Sequence, residues 1–390
     1  MKIAFIGQKG IPSLSGGVEK HVEKLATRLA ASGQEVFVYV RSHYTDPTLA
    51  EYAGVKLIHT PTIRTKHLDA ITHTLFSTMH MLFQDYDVVH YHSIGPSVLA
   101  ILPRIFRPGM RVVATFHTRD YFHKKWGWFA RACLRIAEYL TCTVPEKTIV
   151  ISETLLQYAQ KTYKKQFAFI PNGAEVAYEP DTTPLNQWGI RPKRYILSVS
   201  RLVEHKGIHY LIKAFRELER QNKIPNNFKL VIVGTHAYTQ EYETYLKVLS
   251  AGTDNIVFTG ELYGKDLAAL FSHASLFVQP SEEEGLSLAL LEAMAYGLLA
   301  IVSDIAANLE AIQNGSGVSF ESKNAESLKK VLAYYINCPA EAEAIGAIAK
   351  ERAEQQYSWD AIARRTLEVY EDVLHQYSHL KEHYAEYRTK

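Results

Sequence analysis

The chain has 390 residues, of which 47% are hydrophobic and 22% charged, and its formal net charge is +2. These proportions are typical of a folded globular protein, so they exclude disordered and fibrous classes, and the length predicts more than one domain. The three cysteines are too few and too scattered for a disulfide framework or a four-cysteine zinc site. The first residues, MKIAFIGQKG, predict a strand and a glycine turn, so we expect no signal peptide and a cytoplasmic location.

In the first half of the chain, short apolar runs alternate with segments of helical period. The predicted strands are 2–6, 35–40, 55–59, 88–90, 111–115 and 148–151, and the predicted helices are 18–32 and 128–142. Alternation of strands and helices predicts a parallel sheet covered on both faces.

The pattern restarts after residues 170–192, which are rich in proline and glycine. The predicted strands are 195–199, 229–233, 256–258, 276–279, 299–302 and 317–319, and the predicted helices are 208–221, 241–249, 265–273, 288–296 and 360–377. We therefore predict a doubly wound α/β protein with a first domain at 1–178, a linker at 179–192, a second domain at 193–357, and a C-terminal helix and tail at 358–390. Ligands of such sheets bind beyond the carboxyl ends of the strands.

The first glycine turn contains Gly7 and Gly10 and is followed by Gly16 and Gly17 at the start of a helix. Backbone N–H groups at such a helix start can bind an anion, although a tight strand–helix connection explains the glycines equally well. A nicotinamide site is disfavoured because the spacing G-x-G-x-x-G is absent.

Two charged groups follow strands of the second half. Arg201 and Lys206 lie five residues apart in one loop, which suits a diphosphate, with a solvated basic loop as the alternative. Glu284 and Glu292 lie eight apart in an apolar strand–loop–helix segment, where a carboxylate needs a structural cation or the hydroxyls of a ligand.

With these residues in place, the sequence resembles the family-four retaining glycosyltransferases of the GT-B fold, and among them bacterial enzymes of surface-polysaccharide synthesis. The resemblance covers nearly the whole chain in the family's order. Its motifs are GGVE at 16–19, IPNG at 170–173, RLVEHKG at 201–207, VG at 233–234, FTG at 258–260, PS at 280–281, EGLSLALLE at 284–292 and SDIAAN at 303–308. It implies two Rossmann-like domains, an interdomain cleft, and a C-terminal helix that crosses back to the first domain.

The resemblance also implies roles for single residues. Arg201 and Lys206 resemble the pair that holds the donor's diphosphate, and Glu292 resembles the residue that binds the ribose. Glu284 resembles the carboxylate near the sugar hydroxyls, and His117 the histidine beside the transferred sugar. The implied catalytic residues are thus His117, Arg201, Lys206 and Glu284, and the other implied donor-binding residues are Gly16, Gly17, Gly234, Leu262, Gly285, Leu286, Ser287, Leu288 and Glu292.

Two departures from the family pattern concern the sugar site. Family members often have His-Asp where this chain has His117-Thr118-Arg119-Asp120, and many relatives have glycine at the position of Ser287.

We expect no metal ion and no other cofactor. Two cations near a leaving diphosphate can do the work of Mg²⁺, and we expect the chain to contain no Asp-x-Asp pair that would hold this metal. His90 and His92 alternate along a predicted strand end, and we expect them to face opposite sides rather than to form a zinc pair.

A segment before and within the helix at 128–142 mixes aromatic and basic residues: Lys124, Lys125, Trp126, Trp128, Phe129 and Arg131. This pattern is found at membrane interfaces and also in packed helices with extended cations. The partner hypothesis is therefore a peripheral contact with the inner face of the cell membrane. Nucleic acid is disfavoured because no basic domain or known module accompanies the aromatics.

The expected function is a metal-independent retaining transfer of a sugar from a UDP- or GDP-linked donor to a glycan or lipid-linked acceptor. Two alternatives stay open: a GT-B epimerase or phosphorylase, and a non-catalytic partner subunit.

Overall fold

A computed structural model describes residues 1–14, 16–65, 68–119, 127–236 and 240–388, with side chains up to residue 377. It divides into two compact units: unit 1 comprises Met1–Asn172 and Trp359–Lys390, and unit 2 comprises Gly173–Ser358. The segment that the sequence suggests as a linker, 179–192, lies within unit 2 because Leu185 and Ile190 are buried there.

Unit 1 is built on an eight-stranded sheet in the order β3-β4-β2-β1-β5-β6-β7-β8. Its strands are β1 (Lys2–Ile6), β2 (Glu35–Arg41), β3 (Glu51–Tyr52), β4 (Val55–Thr60), β5 (Val88–His92), β6 (Arg111–Phe116), β7 (Lys147–Val150) and β8 (Ala168–Phe169). The short β3 runs antiparallel to β4, and the other neighbouring strands are parallel.

The helices of unit 1 form two layers. They are α1 (Gly17–Ala31), α2 (Leu68–Met81), α3 (Ile94–Ser97), α4 (Ile101–Phe106), α5 (Trp128–Thr143), α6 (Glu153–Tyr163) and, from the end of the chain, α15 (Trp359–Arg388). Helix α1 connects β1 to β2 in one direction along the sheet, and α2 to α6 lie in connections that run in the other direction. Since crossovers between parallel strands are right-handed, α1 lies on one face of the sheet and α2 to α6 lie on the other. The returning α15 packs on α1, so the predicted crossing back of the C-terminal helix is confirmed.

Unit 2 has a six-stranded parallel sheet in the order β11-β10-β9-β12-β13-β14. Its strands are β9 (Tyr195–Val199), β10 (Lys229–Val233), β11 (Ile256–Gly260), β12 (Leu276–Gln279), β13 (Leu299–Ser303) and β14 (Val318–Phe320). Its helices are α7 (Thr183–Asn186), α8 (Ile208–Arg220), α9 (Gln240–Ser250), α10 (Gly264–His273), α11 (Leu288–Ala295), α12 (Ala306–Ala311), α13 (Ala325–Asn337) and α14 (Pro339–Gln356).

Each unit has its own hydrophobic core between sheet and helices. In unit 2 the inward side chains of α8, such as Leu211 and Phe215, pack on strand residues such as Ile232. In unit 1 the strand residues Val89 and Val112 pack in the core with Met81 of α2. Two doubly wound α/β units with parallel sheets confirm the predicted fold class. Among the described helices, none combines the length and apolar character needed to cross a membrane.

Candidate active site

In unit 2 the predicted site loops lie at the point where the strand order reverses. Chain order runs outward from β9 to β10 and β11 on one side and from β12 to β14 on the other, so the loops after β9 and β12 are neighbours. The first carries Arg201 and Lys206, and the second carries Glu284. Gly207 has φ 67°, and a Cβ there would lie 2.0 Å from the carbonyl oxygen of Pro280. The two loops thus approach each other so closely that only glycine fits.

Lys206 and Glu284 form an ion pair in these loops. The Lys206 Nζ lies 2.5 Å from Oε1 of Glu284, and the side chains are 15% and 9% exposed. Ser281 Oγ donates a second hydrogen bond of 2.7 Å to the same oxygen. The structure therefore brings together two of the residues that the sequence singles out, with the charge of each held in place by the other.

Three further predicted residues, Arg201, Gly234 and Leu262, lie on the loops after β9, β10 and β11. The Arg201 side chain is exposed. Gly234 has φ 131°, and a Cβ there would lie 1.9 Å from the carbonyl oxygen of Ser200, so glycine lets the loop after β10 touch the loop after β9. Leu262, in the loop after β11, is half-buried.

A buried polar network supports the Glu284 loop from below. Ser287 caps α11 by accepting from the N–H of Leu290, and its hydroxyl donates to Gln279 Oε1 at 2.6 Å. Gln279 donates to Asn308 at 2.8 Å, and Asn308 donates to the carbonyl oxygen of Ser303 at 3.1 Å. At the position where many relatives have glycine, the hydroxyl of Ser287 therefore caps α11. Sequence reasoning missed the roles of Gln279 and Asn308.

The start of α11 places the rest of the motif. Glu284 and the half-buried Gly285 precede the helix, Leu286 and Leu288 are buried, and Glu292 lies half-buried at the second turn. The carboxylate of Glu292 therefore lies at the boundary of the core rather than inside it.

Unit 1 has a different kind of site, a cluster of buried histidines at the carboxyl end of its sheet. His92 ends β5, His117 follows β6, and His21 comes from α1. Nδ1 of His92 and Nε2 of His117 are 3.1 Å apart, and the His21 ring packs edge-on against His117 with centroids 4.9 Å apart. We call these three residues the histidine cluster.

The expectation that His90 and His92 face opposite sides is wrong. Residues two apart on a strand share a face, and the two ring centroids are 4.2 Å apart. His90 Nδ1 lies 2.6 Å from the hydroxyl of Tyr370 in α15, and its Nε2 lies 2.7 Å from the hydroxyl of Thr115. His90 is thereby tied to the core, whereas His92 joins the cluster.

Burial keeps the cluster uncharged at neutral pH. It lowers the pKa of His21 to about 4, although a hydrogen bond from Nδ1 to Oδ1 of Asn172 at 2.9 Å opposes the shift. It also holds the pKa of His92 and of His117 well below the usual range. Neutral imidazoles can donate and accept hydrogen bonds, so the cluster suits hydroxyl groups better than phosphate.

The nitrogen atoms of the histidine cluster also satisfy one requirement of a metal site. One ring nitrogen of each residue lies within 4.8 Å of the others, and neutral imidazole is a common zinc ligand. Nε2 of His92 is buried and has no hydrogen-bond partner among the residues that the structure describes. Two of the six ring nitrogens, Nδ1 of His92 and Nε2 of His117, already form a hydrogen bond with each other.

The chain does contain one Asp-x-Asp sequence, Asp85-Tyr86-Asp87, contrary to expectation. Asp87 accepts a hydrogen bond of 2.7 Å from the N–H of Lys2, and both aspartates precede β5. They lie at the amino end of the sheet, opposite the edge at which ligands of such sheets bind.

Two carboxylates of the chain itself accept backbone hydrogen bonds at the predicted glycine turn. Gly16 has φ 96°, and a Cβ there would lie 2.1 Å from Oε2 of Glu19, whose side chain is buried. The other oxygen, Oε1, accepts a hydrogen bond of 3.1 Å from the N–H of Lys9, and Glu23 accepts one of 2.5 Å from Ser13. Gly17 is the first residue of α1.

The predicted membrane segment is described only in part, because Lys124, Lys125 and Trp126 lie outside the described residues. Trp128 and Phe129, at the start of α5, are 82% and 67% exposed, and Arg131 is exposed as well. The aromatic side chains of α5 are therefore not core residues.

Two family models match the chain. Residues 15–178 match "Glycosyltransferase Family 4" and residues 185–352 match "Glycosyl transferases group 1". An uncharacterised glycosyltransferase of Methanocaldococcus jannaschii is 28% identical over 95% of this chain and 98% of its own length.

Solved structures share the architecture at low identity. The sucrose-phosphate synthase of Thermosynechococcus elongatus has a TM-score of 0.82 at 21% identity and covers 96% of this chain and 99% of its own. An Anabaena protein crystallised with UDP-glucose has a TM-score of 0.77 at 19% identity, over 95% of this chain and all of its own.

Proposed function

Because the chain belongs to the GT-B glycosyltransferases, we propose that it is a retaining enzyme which moves a sugar from a nucleoside diphosphate to a glycan or lipid-linked acceptor. We further propose that this acceptor belongs to bacterial surface-polysaccharide synthesis. The observation that carries the proposal is the ion pair of Lys206 and Glu284 between the loops after β9 and β12.

Unit 2 supplies the charge that the leaving group requires. As the bond from the sugar to the diphosphate breaks, negative charge grows on the departing oxygen, and Lys206 and Arg201 provide positive charge to stabilise it. At ~4 Å and an effective dielectric constant of ~20, one cation contributes about 4 kcal/mol of attraction. In this proposal the diphosphate displaces Glu284 from Lys206, which frees the carboxylate to accept hydrogen bonds from the sugar hydroxyls.

Other groups position the rest of the donor. Glu292 accepts hydrogen bonds from the ribose, and the backbone amides of residues 285–288 face the sugar and phosphate. His117 contributes a neutral hydrogen-bonding group for the transferred sugar. Gly234 and Leu262 shape donor-binding loops of unit 2, and Gly16 and Gly17 shape a donor-binding loop of unit 1. A UDP-sugar is the first donor to test, since the Anabaena structure contains UDP-glucose.

The test is a thermal-shift and transfer panel. UDP, GDP and ADP are compared for stabilisation, and UDP- and GDP-sugars are then compared for hydrolysis and transfer. Stabilisation by one nucleotide, together with transfer and an α-configured product from an α-linked donor, is expected. A non-catalytic subunit gives no shift with any nucleotide, and an epimerase or phosphorylase gives a free epimerised sugar or a sugar phosphate instead.

Peripheral membrane contact near α5 is part of the same proposal. Trp128 and Phe129 provide exposed aromatic surface and Arg131 provides positive charge, and Lys124, Lys125 and Trp126 precede them in sequence. Such a contact would bring unit 1 to a lipid-linked acceptor.

A further inference from the structure

The histidine cluster of unit 1 has the ligand atoms and the spacing of a transition-metal site. His21, His92 and His117 each place one ring nitrogen within 4.8 Å of the others, and the residues are 3%, 0% and 6% exposed. Nδ1 of His92 and Nε2 of His117 are 3.1 Å apart. Two ligands of a tetrahedral Zn²⁺ ion lie about 3.3 Å apart, since each Zn–N bond is ~2.0–2.1 Å long. One pair of ring nitrogens therefore already has the separation that zinc requires.

His21 supplies the third ligand from α1. Its Nδ1 lies 2.9 Å from Oδ1 of Asn172, an oxygen that only accepts, so Nδ1 carries the proton and Nε2 keeps its lone pair. Metal-binding histidines use their second nitrogen in this way, which fixes the tautomer and the ring orientation. Ring contacts with His117 and Trp359, at centroid distances of 4.9 and 5.5 Å, hold the imidazole beside the others. The 4.8 Å limit exceeds the zinc spacing by ~1.5 Å, a distance that rotation about the broad χ2 torsions of histidine covers.

The hydrogen bonds around the cluster show which rings are available to a metal. Both nitrogens of His90 have hydroxyl partners, on Tyr370 and Thr115, so His90 offers no ligand atom. His92 has its hydrogen bond to His117, and its Nε2 has no partner within the described part of the chain. A metal ion would therefore displace a single hydrogen bond, that between His92 and His117, and replace it with three coordinate bonds.

The ligand atoms select the class of metal ion. Imidazole nitrogen suits Zn²⁺ and its first-row neighbours, whereas Mg²⁺ and Ca²⁺ bind oxygen ligands, which the histidine cluster does not offer. Three protein ligands leave the fourth position of a tetrahedral ion open to an exchangeable group. His117 follows β6 at the edge of the sheet where ligands enter, and it is the most exposed of the three residues, so the ion approaches from that side. We therefore expect reversible binding rather than the closed coordination of a structural zinc site.

We propose that the histidine cluster binds one Zn²⁺ ion and that the bound ion inhibits sugar transfer. The inhibition, unlike the binding, rests on the proposed function, in which His117 forms a hydrogen bond with the transferred sugar. Zn²⁺ takes the ring nitrogen away from that role, and its two positive charges oppose the charge that grows at the anomeric carbon. The ion is thus an inhibitor rather than a cofactor, and a chelator relieves its effect.

The test measures metal binding and sugar transfer separately on the full chain. Equilibrium dialysis of chelator-treated protein measures the affinity and stoichiometry of Zn²⁺. Absorption spectroscopy with Co²⁺ reports the coordination geometry, because tetrahedral Co²⁺ absorbs visible light far more strongly than the hydrated ion.

Three variants accompany the wild type. His92→Phe and His21→Gln each remove one ligand, so that the failure of one variant to fold still leaves the other, and circular dichroism checks both. His236→Gln is the matched control, since the imidazole of His236 lies 2.7 Å from Glu243 at the surface of unit 2 and is the kind of pair that binds zinc adventitiously.

We expect one tightly bound Zn²⁺ ion and a tetrahedral Co²⁺ spectrum for the wild type and for His236→Gln. His92→Phe and His21→Gln should bind zinc at least ~100-fold more weakly, because loss of a ligand costs more than loss of a group that supports one. No zinc binding by the wild type, or wild-type affinity in both folded ligand variants, overturns the proposal. Loss of binding in His236→Gln overturns it as well, by placing the ion at the surface pair.

The inhibition is measured as the transfer rate at saturating donor with the free Zn²⁺ concentration held by a metal buffer. Transfer by the wild type should fall tenfold or more when the site is filled and should return with EDTA, whereas the residual transfer of His92→Phe should not respond. Zinc binding with an unchanged wild-type rate overturns the inhibitory role. Absence of transfer in the metal-free wild type contradicts the proposed function alone, because dialysis and Co²⁺ absorption still decide whether the cluster binds the ion.

Discussion

The two units share one sheet architecture but use opposite electrostatics at their strand ends. Unit 2 has charged groups there: Lys206 and Glu284 pair at 2.5 Å, and the Arg201 side chain on the loop after β9 is exposed. In unit 1 the imidazole groups are uncharged, because burial lowers the pKa of His21, His92 and His117. The two parts of the proposed donor differ in the same way, since a diphosphate needs cations whereas sugar hydroxyls need hydrogen bonds. Positive charge near the sugar would oppose the positive charge that grows at the anomeric carbon.

Removal of the unit 2 cations should have the largest effect. Arg201→Ala and Lys206→Ala should each lower the transfer rate by ~10²–10³, because each removes stabilisation of the leaving diphosphate. Steady-state kinetics measures this. Lys247→Ala is the control, since Lys247 pairs with Glu243 at 2.7 Å on α9. Full activity in the double variant R201A/K206A would rule out the diphosphate role.

The neutrality of the histidine cluster predicts an acid-sensitive unit 1. The folded-state pKa of His21 is about 4 and lies below its ordinary value of 6.5. The unfolded chain therefore binds a proton first as pH falls, and stability declines from pH 6.5 toward pH 4. The His21 share alone should lower the free energy of unfolding by about 2 kcal/mol between pH 7 and pH 5.

Calorimetry across this pH range measures the change, and His21→Gln should reduce the slope by close to one proton. A free energy of unfolding that is the same at pH 7 and pH 5 would show that the cluster is not held neutral by burial.

Glu284→Gln sharpens the contrast between binding and catalysis in unit 2. Without its charge, residue 284 competes less with the diphosphate for Lys206, so UDP or GDP should bind ~3–10-fold more tightly, in keeping with the modest contribution of a partly exposed ion pair. The rate should fall because the sugar loses a hydrogen-bond acceptor. Titration calorimetry and kcat measure the two quantities separately. Weaker nucleotide binding would contradict this competition and would show that Glu284 only holds Lys206 in position.

The smallest expected effect is that of a chelator. EDTA should leave the transfer rate unchanged, because in the proposed reaction Arg201 and Lys206 supply the positive charge that a metal would otherwise supply. Assays with EDTA and then with added Mn²⁺ or Zn²⁺ make the comparison. Inhibition by EDTA that a metal reverses would point to the histidine cluster as the binding site, and His92→Phe would then abolish the rescue.

Strands and charged loops could be predicted because their signals are local. The runs at β1 and β9 are apolar and bounded by glycine or polar turns, and Arg201, Lys206 and Glu284 stand out from their neighbours in sequence. The histidine cluster could not, because its members come from α1, β5 and the loop after β6. The error about His90 and His92 is of another kind, since the two-residue period of a strand was sufficient to place them on one face.

Helix α2 escaped prediction for a physical reason. Hydrophobic periodicity indicates which face is apolar but assumes that this face is buried, and in α2 the buried face carries Thr74, Ser77 and Thr78. Their partners, such as Thr60 and Tyr91, lie on strands that only the tertiary fold brings near. The caps and supports of the Glu284 loop were hidden for the same reason, because Gln279 and Asn308 lie on different elements.

Because α15 belongs to unit 1, this unit can be completed only after the rest of the chain has been translated. Trp359 packs edge-on against the His21 ring with centroids 5.5 Å apart, and the buried hydroxyl of Tyr370 lies 2.6 Å from His90. A ribosome that adds 5–20 residues per second needs roughly 10–40 s to translate residues 173–358, and throughout that time the α1 side of unit 1 lacks its cover. Unit 2 emerges complete before unit 1 can close, so the domain begun first is the one finished last.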